Sequence, residues 1–255
     1  MTIKDKKLLR VAVLVADIPL DPVKEAYGDY GHLFTSLLDT ALHTVFPDTH
    51  ELTVESFDVR YNPTYPEDLK DFDGALITGS AADAYSDEPW ILRLVQWCAS
   101  VPKDFRLIGI CFGHQVIARA LGATVERNPK GWEVGWTNIT LSPEGKRLLG
   151  RDNLRIHQMH RDQLVTMPKR DDGEVIQCLG STPICPIHGL FLPGQLLTIQ
   201  GHPEFHAGII EKLVEIRAAK GIFSPEFAKD ILARNDQETD HVLFAESMIR
   251  FLIDP

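Results

Sequence analysis

The feature that most constrains the fold is a stretch in which a strand-like pattern changes to a helix-like pattern across one residue, Cys111. Residues 107–110 form a short apolar run that is typical of a buried strand. After Cys111, apolar residues recur at helical spacing over 116–121. Gly109 and Gly113 lie two residues to either side and relieve crowding around a tight turn. This Gly-x-Cys-x-Gly arrangement predicts a nucleophile elbow with cysteine as the nucleophile.

An elbow of this kind favours the reactive form of the sulfur. The amide groups at the start of the following helix are aimed at the Cys111 side chain, and their partial positive charge favours thiolate over thiol. The alternative is a cysteine that simply ends a core strand, since unpaired cysteines are among the most buried residues in proteins. The two flanking glycines and the change of period favour the catalytic interpretation.

The first half of the chain alternates strand-like and helix-like segments. Strands are predicted at 9–16, 51–59, 73–80 and 107–110, and helices at 30–42, 89–100 and 115–121. The prolines of 17–22 predict a loop after the first strand. The resulting order predicts an α/β fold with an open, doubly wound, mostly parallel sheet that is flanked by helices.

The second half adds segments that we expect to form extra antiparallel strands. Strands are predicted at 132–141, 173–181 and 196–200, and helices at 143–149, 209–219 and 241–253. Residues 223–237 are polar and loosely helical, and this leaves a lid and a surface excursion as alternatives. No repeat or linker interrupts the chain, so residues 1–255 are predicted to form one domain.

The net charge and the number of cysteines limit which partners and which cellular compartment we expect for this protein. The formal net charge of −10 disfavours nucleic acid or an anionic membrane as a partner. No apolar run approaches the ~18 residues that a membrane-spanning helix needs, and the first residues lack the apolar core of a signal peptide. Four cysteines are too few for a disulfide framework in a chain of this length. We therefore expect a cytoplasmic protein with no membrane partner.

A nucleophilic cysteine needs a base within hydrogen-bond reach, and the base needs a partner that orients it. His202 follows a buried apolar strand, and functional sites in open α/β sheets collect beyond such strand ends. Glu204 lies two residues further on, so its carboxylate can accept the imidazole N–H and determine the tautomer. A surface loop with a chance histidine and glutamate is the alternative. The coincidence of strand end, histidine and carboxylate favours a catalytic triad.

The motifs at 109–115, Gly-Ile-Cys-Phe-Gly-His-Gln, and at 201–204, Gly-His-Pro-Glu, together resemble the class I, or triad, glutamine amidotransferase family. That family shows G-x-C-x-G-x-Q followed at a distance by H-P-E. The resemblance covers the whole chain and implies the family's flavodoxin-like α/β fold. It also implies that Cys111 is the nucleophile, His202 the base and Glu204 the group that orients His202.

The resemblance further implies an oxyanion hole. Residues 78–80, Thr-Gly-Ser, follow the third predicted strand, where the family places one oxyanion-binding amide. The backbone N–H groups of Gly79 and Phe112 are therefore the expected donors. Removing one such donor typically costs about 3 kcal/mol of transition-state stabilisation.

A glutamine pocket must bind an ammonium and a carboxylate. By resemblance, Gln115 helps to hold the amino-acid end of the substrate, and residues 158–162 lie over the pocket. We expect Asp162 to bind the ammonium, and the backbone amides around Met159 and His160 to bind the carboxylate. By composition alone, this segment would be a solvated loop.

Departures from the family pattern direct the functional expectation. The chain has Thr-Gly-Ser-Ala at 78–81, where the best known members have Gly-Gly-Pro. Residues 81–88 and 130–136 are similar instead to a stand-alone subgroup that includes plant and microbial γ-glutamyl peptidases. A chain of 255 residues leaves no room for an attached synthetase domain. We expect a hydrolase that cleaves glutamine or a γ-glutamyl peptide through a cysteine thioester.

Three other functions stay open. The protein could be a glutaminase subunit that delivers ammonia to a separate synthetase chain. It could be a cysteine-dependent α/β-hydrolase acting on esters, although in that class the acid precedes the histidine, whereas Glu204 follows His202. It could be a non-catalytic regulatory homologue, which the presence of all three triad residues disfavours.

No cofactor or metal is expected from the motifs. The turn at 109–113 lacks the Lys-Ser/Thr pair of a phosphate-binding loop. Cys178, Cys185 and His188 fit no zinc spacing, and no second pair of ligands follows them in the chain. We therefore interpret these three residues as structural.

Overall fold

The structure, a computed structural model, describes residues 6–170 and 172–254. Its strands are β1 (Lys7–Val15), β2 (His50–Asp58), β3 (Gly74–Ile77), β4 (Arg106–Ile110), β5 (Val125–Arg127), β6 (Glu133–Leu141), β7 (Asn153–His160), β8 (Asp162–Leu164), β9 (Gln177–Cys178), β10 (Gly180–Ser181), β11 (Gly189–Leu192) and β12 (Leu196–Ile199). Its helices are α1 (Asp21–Tyr27), α2 (Tyr30–Val45), α3 (Pro89–Ser100), α4 (Phe112–Ala120), α5 (Pro143–Leu149), α6 (Ala207–Ala219), α7 (Pro225–Ala233) and α8 (His241–Ile253). Within these described ranges, no helix combines the length and the apolar character that crossing a bilayer requires.

A seven-stranded sheet forms the centre of the fold, in the order β2-β1-β3-β4-β12-β11-β9. The strands from β2 to β12 run parallel, and β11 and β9 continue the sheet antiparallel at one edge. A smaller antiparallel sheet has the order β10-β6-β7. The predicted α/β class, the open and mostly parallel sheet, and the antiparallel strands of the second half are confirmed.

Helices cover both faces of the large sheet because β1 is apolar on both sides. Leu9, Val11 and Val13 pack into a core that α2 and α8 close. Ala12 and Leu14 point the other way, into a core that α3 and α4 close. Side chains alternate between the faces of a strand, so one continuous apolar run supplies two cores. Each Å² of apolar surface buried in this way contributes roughly 25 cal/mol.

Some predicted boundaries are wrong for local reasons. The loop predicted over 17–22 is shorter, because α1 begins at Asp21 with Pro22 in its first turn, where a missing N–H costs nothing. The helix after the elbow begins at Phe112 and not at Gln115. The strand predicted over 173–181 forms only as the short β9 and β10, and Gly173 has a φ of 84°, outside the extended region. The strands β5, β7, β8 and β11 were not predicted.

The segment 223–237 is neither a detached lid nor a surface excursion. Most of it forms α7, which packs against α6 and β6. The Ile231 side chain is fully buried. Arg234 donates hydrogen bonds to the carbonyl oxygens of Val134, at 2.9 Å, and Trp136. These contacts tie α7 to the strand that leads towards the predicted site.

The small sheet meets the large sheet where the parallel strands end. His157 of β7 forms an isolated antiparallel bridge with His202, whose N–H donates to the His157 carbonyl at 2.9 Å. The end of β7 is thereby held beside the residues that follow β12. This contact brings segments that are far apart in sequence to one edge of the sheet.

Candidate active site

Cys111 connects β4 to α4 in a strained backbone conformation. Its φ is 51° and its ψ is −103°, and among the described residues it is the one non-glycine with positive φ. Such a conformation costs of order 1–3 kcal/mol and persists only where the surrounding structure enforces it. The Cys111 N–H donates to the Ile199 carbonyl at 2.9 Å, and its carbonyl accepts from the Gln115 N–H at 3.1 Å. Strand and helix together therefore hold the sulfur at the start of α4.

The glycines of the elbow permit the close approach of α4 to the sheet. A Cβ added to Gly113 would lie 2.3 Å from the carbonyl oxygen of Ile77, and one added to Gly109 would lie 2.8 Å from the Gly113 backbone. Both distances are shorter than a carbon atom tolerates against backbone. A larger residue at either position would push the helix away from the sheet, so the predicted Gly-x-Cys-x-Gly pattern has a direct steric cause.

His202 follows β12, the strand that pairs in parallel with β4. Its Nδ1 lies 2.8 Å from Oε1 of Glu204, and both residues are buried. The ring of Phe205 stacks on the imidazole with 4.1 Å between centroids. A carboxylate can only accept at this contact, so Nδ1 carries the proton and Nε2 is the nitrogen that can exchange one.

Electrostatics favour the charged form of His202. Burial opposes protonation, but the negative charges of Cys111 and Glu204 outweigh it and raise the pKa of His202 to about 10. An imidazolium at His202 and a negative charge on Cys111 would stabilise one another in a site where either charge alone is costly. The arrangement is chemically suited to nucleophilic attack by sulfur followed by proton donation.

Gln200, which sequence reasoning missed, connects Cys111 to the neighbouring polar groups. Its Nε2 donates to the Cys111 sulfur at 3.5 Å, and its Oε1 accepts from Nε2 of Gln115 at 2.9 Å. Gln115 donates from the same nitrogen to the carbonyl of Asp162 at 3.2 Å. The available signal was the position of Gln200, a polar residue at the end of a buried strand and two residues before His202.

Gly79 and Phe112 lie beside the sulfur, where the oxyanion donors were predicted. A Cβ on Gly79 would lie 2.8 Å from Cε1 of His202 and 3.7 Å from the Cβ of Cys111. Within residues 6–170 and 172–254, neither amide N–H donates to a backbone acceptor. Both N–H groups are therefore free to donate hydrogen bonds to an oxyanion. The oxyanion hole stays a prediction that the geometry permits.

The segment with Met159, His160 and Asp162 is buried and is not a solvated loop. Met159 and His160 end β7, and Asp162 begins β8. Burial and the nearby carboxylate of Asp83 raise the pKa of Asp162 to about 6, although Arg127, at 3.9 Å, opposes the shift. A carboxylate in this environment is stabilised by an additional cation. This is consistent with the predicted ammonium site.

The predicted residues surround one cavity of about 510 Å³. Its lining includes Cys111, Gln115, Met159, His160, Asp162 and His202. Ligand pockets typically measure ~300–1,000 Å³. A second cavity, of about 410 Å³, lies near the ends of α3 and α4 and contains none of the predicted site residues. The chemistry of the site therefore assigns the first cavity as the candidate active site.

Comparison with known proteins identifies the family. Residues 29–215 match the sequence profile described as Glutamine amidotransferase class-I. The chain belongs to the class I glutamine amidotransferase family. Over 250 residues it is 35% identical to a glutamine amidotransferase-like protein of Schizosaccharomyces pombe, which covers 96% of this chain and 98% of that protein.

Two further comparisons extend the match. Gamma-glutamyl peptidase 2 of Arabidopsis thaliana is 31% identical over 248 residues, which cover 93% of this amidotransferase-family chain and 94% of the plant protein. A crystal structure of a glutamine amidotransferase from Thermotoga maritima superposes with a TM-score of 0.71 at 19% identity, and covers 96% of this chain and 99% of that one. At this identity the structural match supports the class I amidotransferase fold.

A buried polar cluster lies behind His160 in this amidotransferase-family member. Glu133 Oε2 lies 2.9 Å from Nε2 of both His160 and His188, and Glu133 Oε1 accepts from the Thr182 hydroxyl at 2.7 Å. Burial opposes its charge, but the two histidines hold the pKa of Glu133 well below its usual range. Glu133, His160 and His188, together with Cys185, have side-chain atoms within 4.8 Å of one another. These are atom types that can bind a metal ion. No second pair of possible ligands follows His188 in the sequence, but the fold places Glu133 of β6 and His160 of β7 beside Cys185 and His188.

Substituting alanine for Gly79 tests the packing around the predicted triad of this amidotransferase-family member. The new Cβ would lie 2.8 Å from Cε1 of His202, so the imidazole must move. We expect kcat for γ-glutamyl hydrolysis to fall about 100-fold, since displacements near 1 Å at a reacting group have effects of this size. Steady-state kinetics measure the fall, and thermal unfolding checks that the variant is folded. A folded variant with unchanged kcat would show that the imidazole tolerates the displacement.

Proposed function

We propose that the protein hydrolyses the γ-glutamyl amide bond of a small molecule through a thioester on Cys111. The observation that carries this proposal is the placement of the strained Cys111 beside His202, whose Nδ1 lies 2.8 Å from the Glu204 carboxylate, in the wall of a 510 Å³ cavity. Similarity over nearly the full length to proteins named gamma-glutamyl peptidases supports the substrate class.

In the first half of the reaction, the Cys111 thiolate attacks the γ-carbonyl carbon and forms a C–S bond. The carbonyl oxygen becomes an oxyanion that accepts hydrogen bonds from the N–H groups of Gly79 and Phe112. The His202 imidazolium donates its Nε2 proton to the departing nitrogen, and the C–N bond breaks. The amine leaves, and the glutamyl group is held as a thioester.

In the second half, neutral His202 accepts a proton from water, whose oxygen attacks the thioester carbon. The C–S bond breaks, glutamate is released, and the thiolate and imidazolium are restored. The Glu204 carboxylate accepts a hydrogen bond from Nδ1–H of His202 throughout, and so stabilises the imidazolium in both halves of the reaction. The net reaction consumes one amide and one water and yields glutamate and an amine.

The amino-acid end of the substrate is assigned to the wall formed by β7 and β8. Asp162 would bind the α-ammonium, because that cation offsets the burial that raises the pKa of its carboxyl. Backbone amides around Met159 and His160 would bind the α-carboxylate, and Gln115 would line the same wall. The buried hydrogen bond between His160 and Glu133 keeps this wall in place.

We further propose that the protein acts without a synthetase partner and in the reducing cytoplasm. The relatives named as peptidases match over almost their whole length, for example 94% of gamma-glutamyl peptidase 2. All four cysteines are unpaired in the structure, as a reducing compartment would maintain them. Recovery of a stoichiometric synthetase in an affinity pull-down would instead favour ammonia delivery.

The experiment that tests the proposed function combines turnover with chemical labelling. We expect glutamate release from γ-glutamylalanine or glutamine, and complete loss of this activity when one chloroketone analogue of glutamine is attached per chain. Peptide mass spectrometry should locate the label on Cys111, whereas the half-buried Cys178 serves as the internal control and should stay unlabelled. Full activity after stoichiometric labelling of Cys111 would contradict the proposal.

The raised pKa of His202 predicts the alkaline limit of the reaction. Because this pKa lies near 10 and not at 6.5, the imidazolium persists through neutral pH and is lost only as the pH rises through about 10. The imidazolium protonates the leaving amine, so we expect kcat/KM to fall about tenfold per pH unit above that point. Glutamate release between pH 7 and 11 measures the profile. A decline centred near the usual histidine value would contradict this charge state.

A further inference from the structure

One arginine that lines the candidate active site has no carboxylate at ion-pair distance among the described residues. Arg217 of α6 contributes to the wall of the cavity that contains Cys111. Its Nη1 nitrogen is buried and, among the described residues, has no hydrogen-bond partner. Its guanidinium carbon lies 6.0 Å from the ring centroid of Trp132. Burial lowers the pKa of Arg217, so the fold retains this cation against a desolvation cost.

The other arginines of the cavity wall are accounted for. Arg60 forms an ion pair with Asp17 at 2.7 Å. Arg127 lies 3.5 Å from Asp83 and 3.9 Å from Asp162. Arg161 is exposed to solvent. Within the described ranges, Arg217 is thus the half-buried cation of this wall that has no carboxylate at ion-pair distance.

Arg217 and Asp162 belong to different elements of the cavity wall. Asp162 is on β8, which pairs with β5 and packs near α4, whereas Arg217 is on α6, which packs against α1 and α7. The charges that raise the pKa of Arg217 are those of Tyr30 and Cys111. The charges that act on the pKa of Asp162 are those of Asp83, Arg127 and His160. Cys111 is therefore close enough to Arg217 for their charges to interact, whereas Asp162 interacts with a different set of charges.

We propose that Arg217 binds a carboxylate of the leaving group, so that the substrate is a γ-glutamyl amino acid or peptide and not glutamine. This inference rests on the proposed hydrolysis at the same site. With the glutamyl α-ammonium on Asp162 and the γ-carbonyl on Cys111, the departing amine points to the α6 side. A guanidinium recognises a carboxylate by paired, charge-assisted hydrogen bonds.

The surroundings of Arg217 fit an amino acid better than ammonia. Tyr30 lines the same wall, and burial raises the pKa of its hydroxyl, which therefore stays protonated and can donate a second hydrogen bond. Trp132, Leu213 and Val23 supply apolar lining for a side chain. Glutamine would leave Arg217 and this apolar wall without a ligand group. Ammonia, the leaving group of glutamine, has no carboxylate that Arg217 could bind.

The test compares substrates that differ in one charge. We expect wild-type kcat/KM for γ-glutamylalanine to exceed that for γ-glutamylalaninamide and for glutamine by about ten- to a hundredfold, since a charge-assisted hydrogen bond has effects of this order. In Arg217→Met this preference should disappear, because the KM for the free acid rises to that for the amide. Arg217→Lys should keep part of the preference. Lys220→Met removes an exposed cation from the end of the same helix and should behave like wild type.

Each outcome bears on one of the two proposals. Equal turnover of the acid and the amide by wild type, or an equal loss on both in folded Arg217→Met, overturns the role of Arg217 but leaves hydrolysis at Cys111 intact. Preference for glutamine overturns it as well. Absence of any hydrolysis that depends on Cys111 overturns the proposed function itself. The wild-type comparison needs no variant, so the inference is tested even if Arg217→Met is unstable.

Discussion

Replacing Cys111 by alanine is expected to lower kcat for γ-glutamyl hydrolysis by roughly 10⁶-fold, to the level of the background reaction. No other sulfur can substitute, because Cys98 and Cys185 are buried elsewhere and burial raises the pKa of each of these thiols. Alanine keeps the Cβ and the same backbone class, so the strain at φ 51° is unchanged. Thermal unfolding should therefore change little. Glutamate release measures the loss, with Cys178→Ala as the matched control.

The same substitution has a second, independent consequence. The negative charge of Cys111 is among the causes that raise the pKa of His202. Without this charge, burial of the imidazole is opposed less strongly, so the pKa of His202 is expected to fall. An NMR titration of the histidine ring in both proteins detects this change without any substrate. A folded Cys111→Ala protein in which the His202 titration is unchanged would contradict the thiolate–imidazolium pair.

The elbow could be predicted from sequence because its causes are local. Gly109, Cys111 and Gly113 lie close together in the chain, and a Cβ at Gly109 would clash with the Gly113 backbone of the same turn, although Gly113 itself is limited by Ile77 of β3. The contact between His202 and Glu204 spans two residues and follows a strand end, so it too has a local signature. The same reasoning applies to β1, whose continuous apolar run indicates burial on both faces.

The rest of the site depends on contacts between distant segments. Gln200 reaches Cys111 across 89 positions, and Glu133 contacts His188 across 55. No spacing rule relates these residues, and each is unremarkable in its own segment. Cys111 and Gln200 meet because β4 pairs with β12, and the pairing of β6 with β7 brings Glu133 to His160 in the same cluster as His188. Pairing of this kind depends on the whole fold, so the polar network and the position of Arg217 required the structure.

The elements that were not predicted share a related cause. The strands β5 and β8 have three residues each, too few to show a period of alternating polarity. The end of β7 is rich in polar side chains, such as His157 and Gln158, that the fold buries. In sequence these residues resemble a loop. Polar residues buried at a site therefore conceal the strand that carries them.

Substituting glutamine for Glu204 is expected to lower kcat by about 10⁴-fold, the cost typical of neutralising the acid of a nucleophile–histidine–acid triad. An amide in the place of Oε1 can offer an N–H to Nδ1, which would leave Nδ1 unprotonated and turn the wrong tautomer towards Cys111. It also removes a charge that raises the pKa of His202, so the imidazolium becomes less stable. The substitution leaves the backbone unchanged and keeps nearly the same side-chain volume.

The Glu204→Gln experiment separates orientation from packing. Steady-state kinetics should show a fall in kcat with little change in KM, because Glu204 is behind the histidine and not among the residues that line the cavity. The alkaline fall of kcat/KM should move to lower pH, in the direction that loss of the Glu204 charge requires. Glu211→Gln, at an exposed position on α6, is the matched control and should retain wild-type activity. A folded Glu204→Gln enzyme with near wild-type kcat would show that His202 is oriented by Phe205 and the β7 contact alone.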